Sequence, residues 1–310
     1  MRQIPQPVTA SLAGMTPARR ASAKAGAFVM LTKPRIIELL LVTTVPAMIV
    51  AEGGMPGLWL IVLTVVGGTL AAGGANTFNM YVDRDIDAIM VRTQGRPLVT
   101  GAVQPRSALI FGFVLEIAAF ALLWWGVNLL SAVLAVSACL FYVFVYTLWL
   151  KRTSKQNIVI GGAAGSVPAL VGWAAVTDSL SLAPWLLFGI IFFWTPPHFW
   201  ALAIKYTDDY QAADVPMLPA VTSIRSTAWQ MIWYTVAVII LSLWFHVAAG
   251  TGALYLLVAI VSGAFFLVHT IKLLQDPDAR RAMRVFGYSI TYLGALFVAM
   301  AVDVLVREGF

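Results

Sequence analysis

Apolar residues in this chain come in long blocks, separated by short stretches of charged, glycine or proline residues. Nine blocks are long enough, or nearly so, to cross about 30 Å of hydrocarbon as a helix. They cover residues 36–51, 58–80, 108–126, 129–150, 158–176, 183–204, 229–249, 253–271 and 285–306. Lipid offers no hydrogen bonds, so a spanning segment must satisfy its own backbone groups, and each block predicts an α-helix. The first block is short, and Lys33 and Arg35 lengthen it by snorkelling. The pattern reads as an all-α polytopic membrane protein, with nine transmembrane helices around a central cavity. Residues 1–30 read as a flexible basic tail, and 31–310 as a single membrane domain.

Composition agrees with the pattern. Of 310 residues, 60% are hydrophobic and 11% charged, whereas a soluble domain is nearer half apolar and a quarter charged. The net charge of +6 is spread over separate short loops, which excludes a nucleic-acid surface. The lone Cys139 allows no internal disulfide and reads as a packing residue.

Charge placement sets an expected orientation. Lys and Arg fall in the tail and first-helix start (2, 19, 20, 24, 33, 35) and in four alternate loops (84, 92, 96, 106; 151, 152, 155; 205, 225; 272, 280, 281, 284). That leaves only Arg307, out of 20, on the other side. The positive-inside rule puts the N-terminus and these loops in the cytoplasm. The tail has no acid and no clear amphipathic stripe, so it reads as a bacterial inner-membrane tail rather than a mitochondrial transit peptide.

The chemistry gathers on that charged side. Asn79, Asp83 and Asp87 are spaced by four where the second block ends. Each step of four turns a helix by about 40° and climbs about 6 Å, so the three form a ladder on one face, with Asn76 extending it. Carboxylates at a membrane helix mouth are costly without a cation. Hard oxygen ligands suit Mg²⁺, which shares its shell with phosphates. A solvated helix end balanced by Arg84, Arg92 and Arg96 is the plainer alternative. The loop after the sixth block adds Asp208 and Asp209. Arg96, Lys151, Arg152, Lys155 and Lys205 surround the two acidic groups, a mixture that favours a metal-bridged diphosphate. Lys151, Arg152 and Lys155 alone would read as lipid-headgroup contacts.

Arg96-Pro97-Leu98-Val99 and Val215-Pro216-Met217-Leu218-Pro219 echo each other weakly, as two related halves facing a shared site would. Glycine runs at 67–74 and 161–165 read as close helix packing. Pro196 and Pro197 predict a break in the sixth helix, with His198 after it among aromatics. His246 and His269 read as interface or packing residues. Glu38 is expected to pair with Arg35, and Glu116 has no evident partner.

Five stretches together resemble the UbiA superfamily of intramembrane prenyltransferases, and within it the haem-farnesylating branch. They are residues 31–35 (Leu-Thr-Lys-Pro-Arg), 79–97, 146–157, 194–219 and 288–293. His198 and Lys205 stand where other branches carry acids. The resemblance implies Mg²⁺-dependent transfer of farnesyl from farnesyl diphosphate to a vinyl group of haem B, giving haem O and diphosphate. It implies Asn79, Asp83, Asp87 and Asp209 as catalytic residues, with these and Asp208 holding Mg²⁺. Arg92, Arg96, Lys151, Arg152 and Lys205 would bind diphosphate. His198, Trp194 and Trp200 would meet the haem, while Phe193, Trp194, Phe199 and Trp200 offer faces to an allylic cation. Expected partners are the two substrates and membrane lipid, with a haem A synthase or a second copy of the chain as further contacts. A prenyltransferase with an aromatic-acid or chlorophyll-like acceptor is the alternative. A transporter would place its acids near the midplane rather than at one face.

Overall fold

The computed structural model describes residues 16–308, and all of their side chains except those of 17, 18, 20, 35–41 and 308. Regular structure among the described residues is entirely helical, in the order α1 Pro17–Leu31, α2 Pro34–Glu52, α3 Leu58–Val82, α4 Arg84–Ile89, a 3₁₀ turn Val91–Thr93, α5 Pro105–Gly126 and α6 Leu129–Leu140. A π-helical stretch, Phe141–Leu150, extends α6 into the short α7, Lys151–Thr153. Then follow α8 Asn157–Thr177, α9 Leu182–Lys205, α10 Thr207–Ala212, α11 Leu218–Val221, α12 Ile224–Ala249, α13 Ala253–Gln275 and α14 Ala279–Glu308.

Eight of these helices are long and apolar enough to cross a membrane, with α6, the π-stretch and α7 counted as one. The protein is a multi-pass membrane protein. The first of the nine expected spans lies within α2, whose described apolar part is only Val42–Glu52, too short to count by itself. The second half of the expected tail is helical, as α1, and residues 1–15 lie outside the described residues. The expected Arg35–Glu38 pair also falls on side chains outside the described ones.

Local chemistry sets the helix ends. Pro34 and Pro105 open α2 and α5, where a missing N–H costs nothing. Asn128 and Ser223 cap α6 and α12 by accepting from Ser131 N–H and Ser226 N–H. Buried Asp303 of α14 reaches across to accept from the N–H groups of Gly252 and Tyr255 at the start of α13. The helix α9 packs against α8, α12 and α14, α8 against α2 and α6, and α3 against α5. Glycines sit at the close approaches. A Cβ on Gly172 of α8 would lie 2.5 Å from the Thr44 carbonyl oxygen of α2.

The expected break in the sixth spanning helix does not occur, because α9 stays helical through Pro196 and Pro197. Prolines are tolerated in membrane helices where their surroundings satisfy the freed carbonyls, which here are those of Phe192 and Phe193.

Candidate active site

Alternating helices bring the start of α2, the end of α3 with α4, the π-stretch with α7, and the end of α9 with α10 to one end of the bundle. The ladder lies there. Asp83, at ψ 3, joins α3 to α4, and i→i−4 bonds persist across it, from Asp83 N–H to Asn79 O at 2.9 Å and from Asp87 N–H to Asp83 O at 2.8 Å. Asn79, Asp83 and Asp87 therefore share a face, and each is at most 3% exposed. A solvated helix end is ruled out by that burial.

Each rung has a cationic partner. Asn79 Oδ1 accepts from Lys33 Nζ at 2.6 Å, while its Nδ2 donates to Asp83 Oδ2 at 2.8 Å and Thr147 Oγ1 at 3.0 Å. Lys151 donates to Asp83 Oδ2, and Arg96 pairs with Asp87. Arg152 makes a two-pronged bond to Asp85, 2.7 Å on each oxygen, and stands 3.9 Å from Asp83 Oδ1. The Arg152 guanidinium holds the Asp85 carboxyl down to about 2. Asp83 Oδ1 is buried without a hydrogen-bond partner.

The π-stretch explains how Thr147 reaches the ladder. Its hydroxyl donates to Tyr142 O, five residues back, at 2.8 Å, and so follows the wider π register. Tyr142 and Tyr146 stack at 5.3 Å on the same stretch. Tyr146 lies over Gly161, where a Cβ would stand 2.3 Å from the ring.

Lys33 was read from sequence as a snorkelling residue, but it is part of this site. It has φ 53, in the left-handed region. Burial, then the neighbouring Arg96 and Lys151 charges, push its ammonium down to about 7. Its corner is held by Asn76, whose amide donates to Thr32 O at 3.0 Å. Asn76 thus braces the start of α2 and does not extend the ladder.

The second acidic group does not join the first. Asp209 accepts from the backbone N–H groups of Val91 and Arg92, at 3.2 Å each. Asp208 is exposed. No three His, Cys, Asp or Glu side chains converge as a metal cage among the described residues. Of the expected diphosphate residues, Arg96, Lys151 and Arg152 reach the ladder. Arg92 and Lys205 instead lie against the Tyr206 ring, 5.4 and 5.5 Å from its centroid. Lys155 is exposed, and Arg84 folds back on Tyr81. Burial pushes the Tyr210 hydroxyl up, against the pull of Arg92 beside it. Asp209, Arg92, Tyr206 and Tyr210 form a clasp between the two long loops.

His198 lies deeper, on α9. Its ring is sandwiched by Trp194 at 4.3 Å and Phe286 at 4.6 Å. Ser289 Oγ donates to Phe286 O at 2.6 Å, so His198 Nδ1 must donate to Ser289 Oγ at 2.7 Å. That tautomer leaves Nε2 with a free lone pair. Trp194 Nε1 donates to Ser289 O at 2.8 Å. Trp194 is buried, with its ring against His198 and its Nε1 bonded to α14. Trp200 is fully buried against Tyr234 in the core. His246 bonds Thr251, and His269 bonds Phe265 O. Glu116 lies over Gly74 beside Cys139, at an outer groove of about 430 Å³ also lined by Phe120, Trp124 and Trp125.

Comparison with known proteins places this geometry. Residues 40–300 match the model of the UbiA prenyltransferase family. The protoheme IX farnesyltransferase of Renibacterium salmoninarum is 48% identical over 309 residues, 98% of this chain and 97% of that one. A solved digeranylgeranylglyceryl phosphate synthase has a TM-score of 0.76 at 18% identity, covering 91% of this chain and 99% of that one. A UbiA homologue from Archaeoglobus fulgidus, solved with DMAPP and Mg²⁺, has a TM-score of 0.63 at 15% identity, covering 87% and 99%.

Proposed function

Because the chain belongs to the UbiA prenyltransferase family, we propose that it transfers farnesyl from farnesyl diphosphate to a vinyl group of haem B, giving haem O. The name of the relative supports the two substrates. The observation that carries the reading is the buried Asn79–Asp83–Asp87 ladder, set among cations and with one Asp83 oxygen that accepts no hydrogen bond.

An orphaned carboxylate oxygen in a rigid set of hard donors fits Mg²⁺. Asn79, Asp83 and Asp87 would hold it, and the ion when bound supplies charge neutralisation at the diphosphate. The archaeal neighbour solved with DMAPP and Mg²⁺ supports that pairing. Asp209 accepts from the Val91 and Arg92 N–H groups and Asp208 is exposed, so neither is hydrogen-bonded to the ladder.

Arg96, Lys151 and Arg152 face the place where negative charge grows as the carbon–oxygen bond to diphosphate breaks. The stacked Tyr142 and Tyr146, on the π-stretch that carries Thr147 to the ladder, would offer aromatic faces to the allylic cation. The vinyl π electrons form the new carbon–carbon bond to farnesyl. Water then adds to the carbon left cationic and loses a proton, which gives the hydroxyethyl-farnesyl group. The surrounding helices keep water from the allylic cation before the vinyl group arrives. His198 offers Nε2 to the acceptor, either to the haem iron or to a propionate. The ladder end faces the cytoplasm, where its lysines and arginines belong.

The test is pigment analysis of membranes expressing the chain. Haem O should accumulate, and Mg²⁺ chelation should stop it. Unchanged haem B with farnesyl diphosphate present would refute the reading. His198→Ala should weaken the Soret shift on haem titration while diphosphate binding persists. Loss of diphosphate binding alone would move His198 to the other substrate. Gly95→Cys should react with an impermeant thiol reagent only in inside-out vesicles, against a background of one buried cysteine. Labelling of intact cells would reverse the orientation.

A further inference from the structure

One histidine outside the ladder site has its chemistry set by the fold. His269 lies on α13 within two turns of its end at Gln275. Its Nδ1 stands 2.7 Å from Phe265 O. A carbonyl cannot donate, so Nδ1 carries the proton, and Nε2 keeps a lone pair turned away from that carbonyl. The ring lies flat on Tyr288 of α14, 4.7 Å between centroids and 9° between planes. Tyr288 is held in turn by its hydroxyl, which donates to Ser262 O at 3.2 Å. A carbonyl on one imidazole nitrogen is the arrangement that orients a histidine towards a metal at the other. Packing alone accounts for the stack, and the surroundings add what a ligand needs. Val261, Phe265 and Val268 run along one side of α13, all exposed, and lead up to the exposed Lys272. The contacts of His269 with Tyr288 and of Phe266 with Tyr292 show α13 and α14 running antiparallel. Lys272, one turn after His269, and Arg284, one turn before Tyr288, therefore lie at the same level on the charged side of the imidazole. Among the described residues neither enters an ion pair, because Asp276 and Asp278 between the helices are taken by Arg281 and Arg280.

The matching ligand has a metal, a flat apolar body and two acids on one edge. A lipid headgroup would use the cations and leave the imidazole idle. We propose that α13 and α14 carry a second, membrane-facing haem site, where His269 Nε2 takes the iron of haem B and Lys272 and Arg284 its propionates. The proposal rests on the reading that haem B is the acceptor. The helix α14 separates this site from the inner one, since Phe286 and Ser289 face His198 while Tyr288 faces His269. The outer site would hold the acceptor at the membrane surface before it reaches His198.

The experiment titrates haem B into the full chain in phosphatidylcholine nanodiscs and follows the Soret band, with empty nanodiscs subtracted. His269→Phe keeps a ring on Tyr288 and removes the nitrogen, and thermal melting checks that it is folded. Should it fail to fold, His269→Gln makes the same comparison. His198→Ala should retain a haem that is lost when His269→Phe is added. In the His198→Ala background, Lys272→Gln with Arg284→Gln should weaken that haem by about fivefold, the order expected of two exposed ion pairs, without moving its Soret maximum. A haem that persists in the double histidine variant overturns the proposal, and so does an affinity untouched by the loss of both cations. If the parent binds haem and His198→Ala abolishes all of it, the acceptor reading stands and this proposal alone falls. A parent that binds no haem overturns both.

Discussion

Asp83→Asn separates what Asp83 does for the fold from what it does for the reaction. The carboxylate is fully buried and, among the described residues, is the only acid paired with Lys151, whose side chain is itself only 13% exposed. Removing the charge strands a buried ammonium. Breaking a buried pair by deleting one partner costs about 3–5 kcal/mol. The amide can still accept one bond from Lys151, so the lower end applies, about 3 kcal/mol. For a chain of this size that lowers the melting temperature by on the order of 10 °C. Adding Lys151→Met removes the stranded cation and puts an apolar chain of similar length in its place. The double variant should regain most of the lost stability. Prenyl transfer should be absent in both, because each lacks a rung of the ladder. Melting in detergent and haem O formation are measured side by side. The reasoning is refuted if Asp83→Asn melts within about 2 °C of the parent, or if the double variant is less stable than the single one.

Gly161→Ala puts a Cβ into the Tyr146 ring, and such overpacking should cost about 1–3 kcal/mol and lower activity by shifting the π-stretch. Gly165→Ala on the same helix meets nothing within 4 Å and serves as the silent control in the same melting series. Asp85 is held down to about 2 by Arg152, so its stabilising effect is present above its ordinary carboxylate range and lost as pH falls through about 4 towards 2. Its side chain is 59% exposed, so the gain stays below about 1 kcal/mol. The melting difference between the parent and Asp85→Asn should accordingly shrink to nothing across that window, and a difference that grows on acidification would be the wrong sign. Asp209→Ala frees the N–H groups of Val91 and Arg92. Hydrogen exchange at those two amides should speed up, while melting should fall by no more than about 1–2 kcal/mol in equivalent stability. Unchanged exchange would remove Asp209 from the loop clasp.

The second loop shows where one-dimensional reading stops. Asp208 and Asp209 look like a second acidic ligand group when counted along the chain, because carboxylates near a membrane face suggest a metal. Asp209 instead spends both oxygens on backbone groups more than a hundred residues away. For His198 the structure adds the surroundings. Its setting was visible as a His among aromatics after two prolines, yet those aromatics stack on the imidazole itself and the helix stays whole. Lys33 and Thr147 were missed, although both lie in stretches that carry the family resemblance. Lys33 had a signal in the Lys-Pro corner, while Thr147 needed a π register that no residue pattern announces.

The helical membrane architecture and the ladder were legible along the chain, because both follow from local rules. A backbone in lipid must satisfy itself within one segment, and side chains four apart share a helix face. The Asn79–Asp83–Asp87 face needs only the i to i−4 bonds that run through it. What each rung touches was set by helix packing. Lys33 and Asn79 are 46 residues apart, and Lys151 and Asp83 are 68. Partners at that distance are chosen by how whole helices pack, so no local pattern encodes which cation answers which acid.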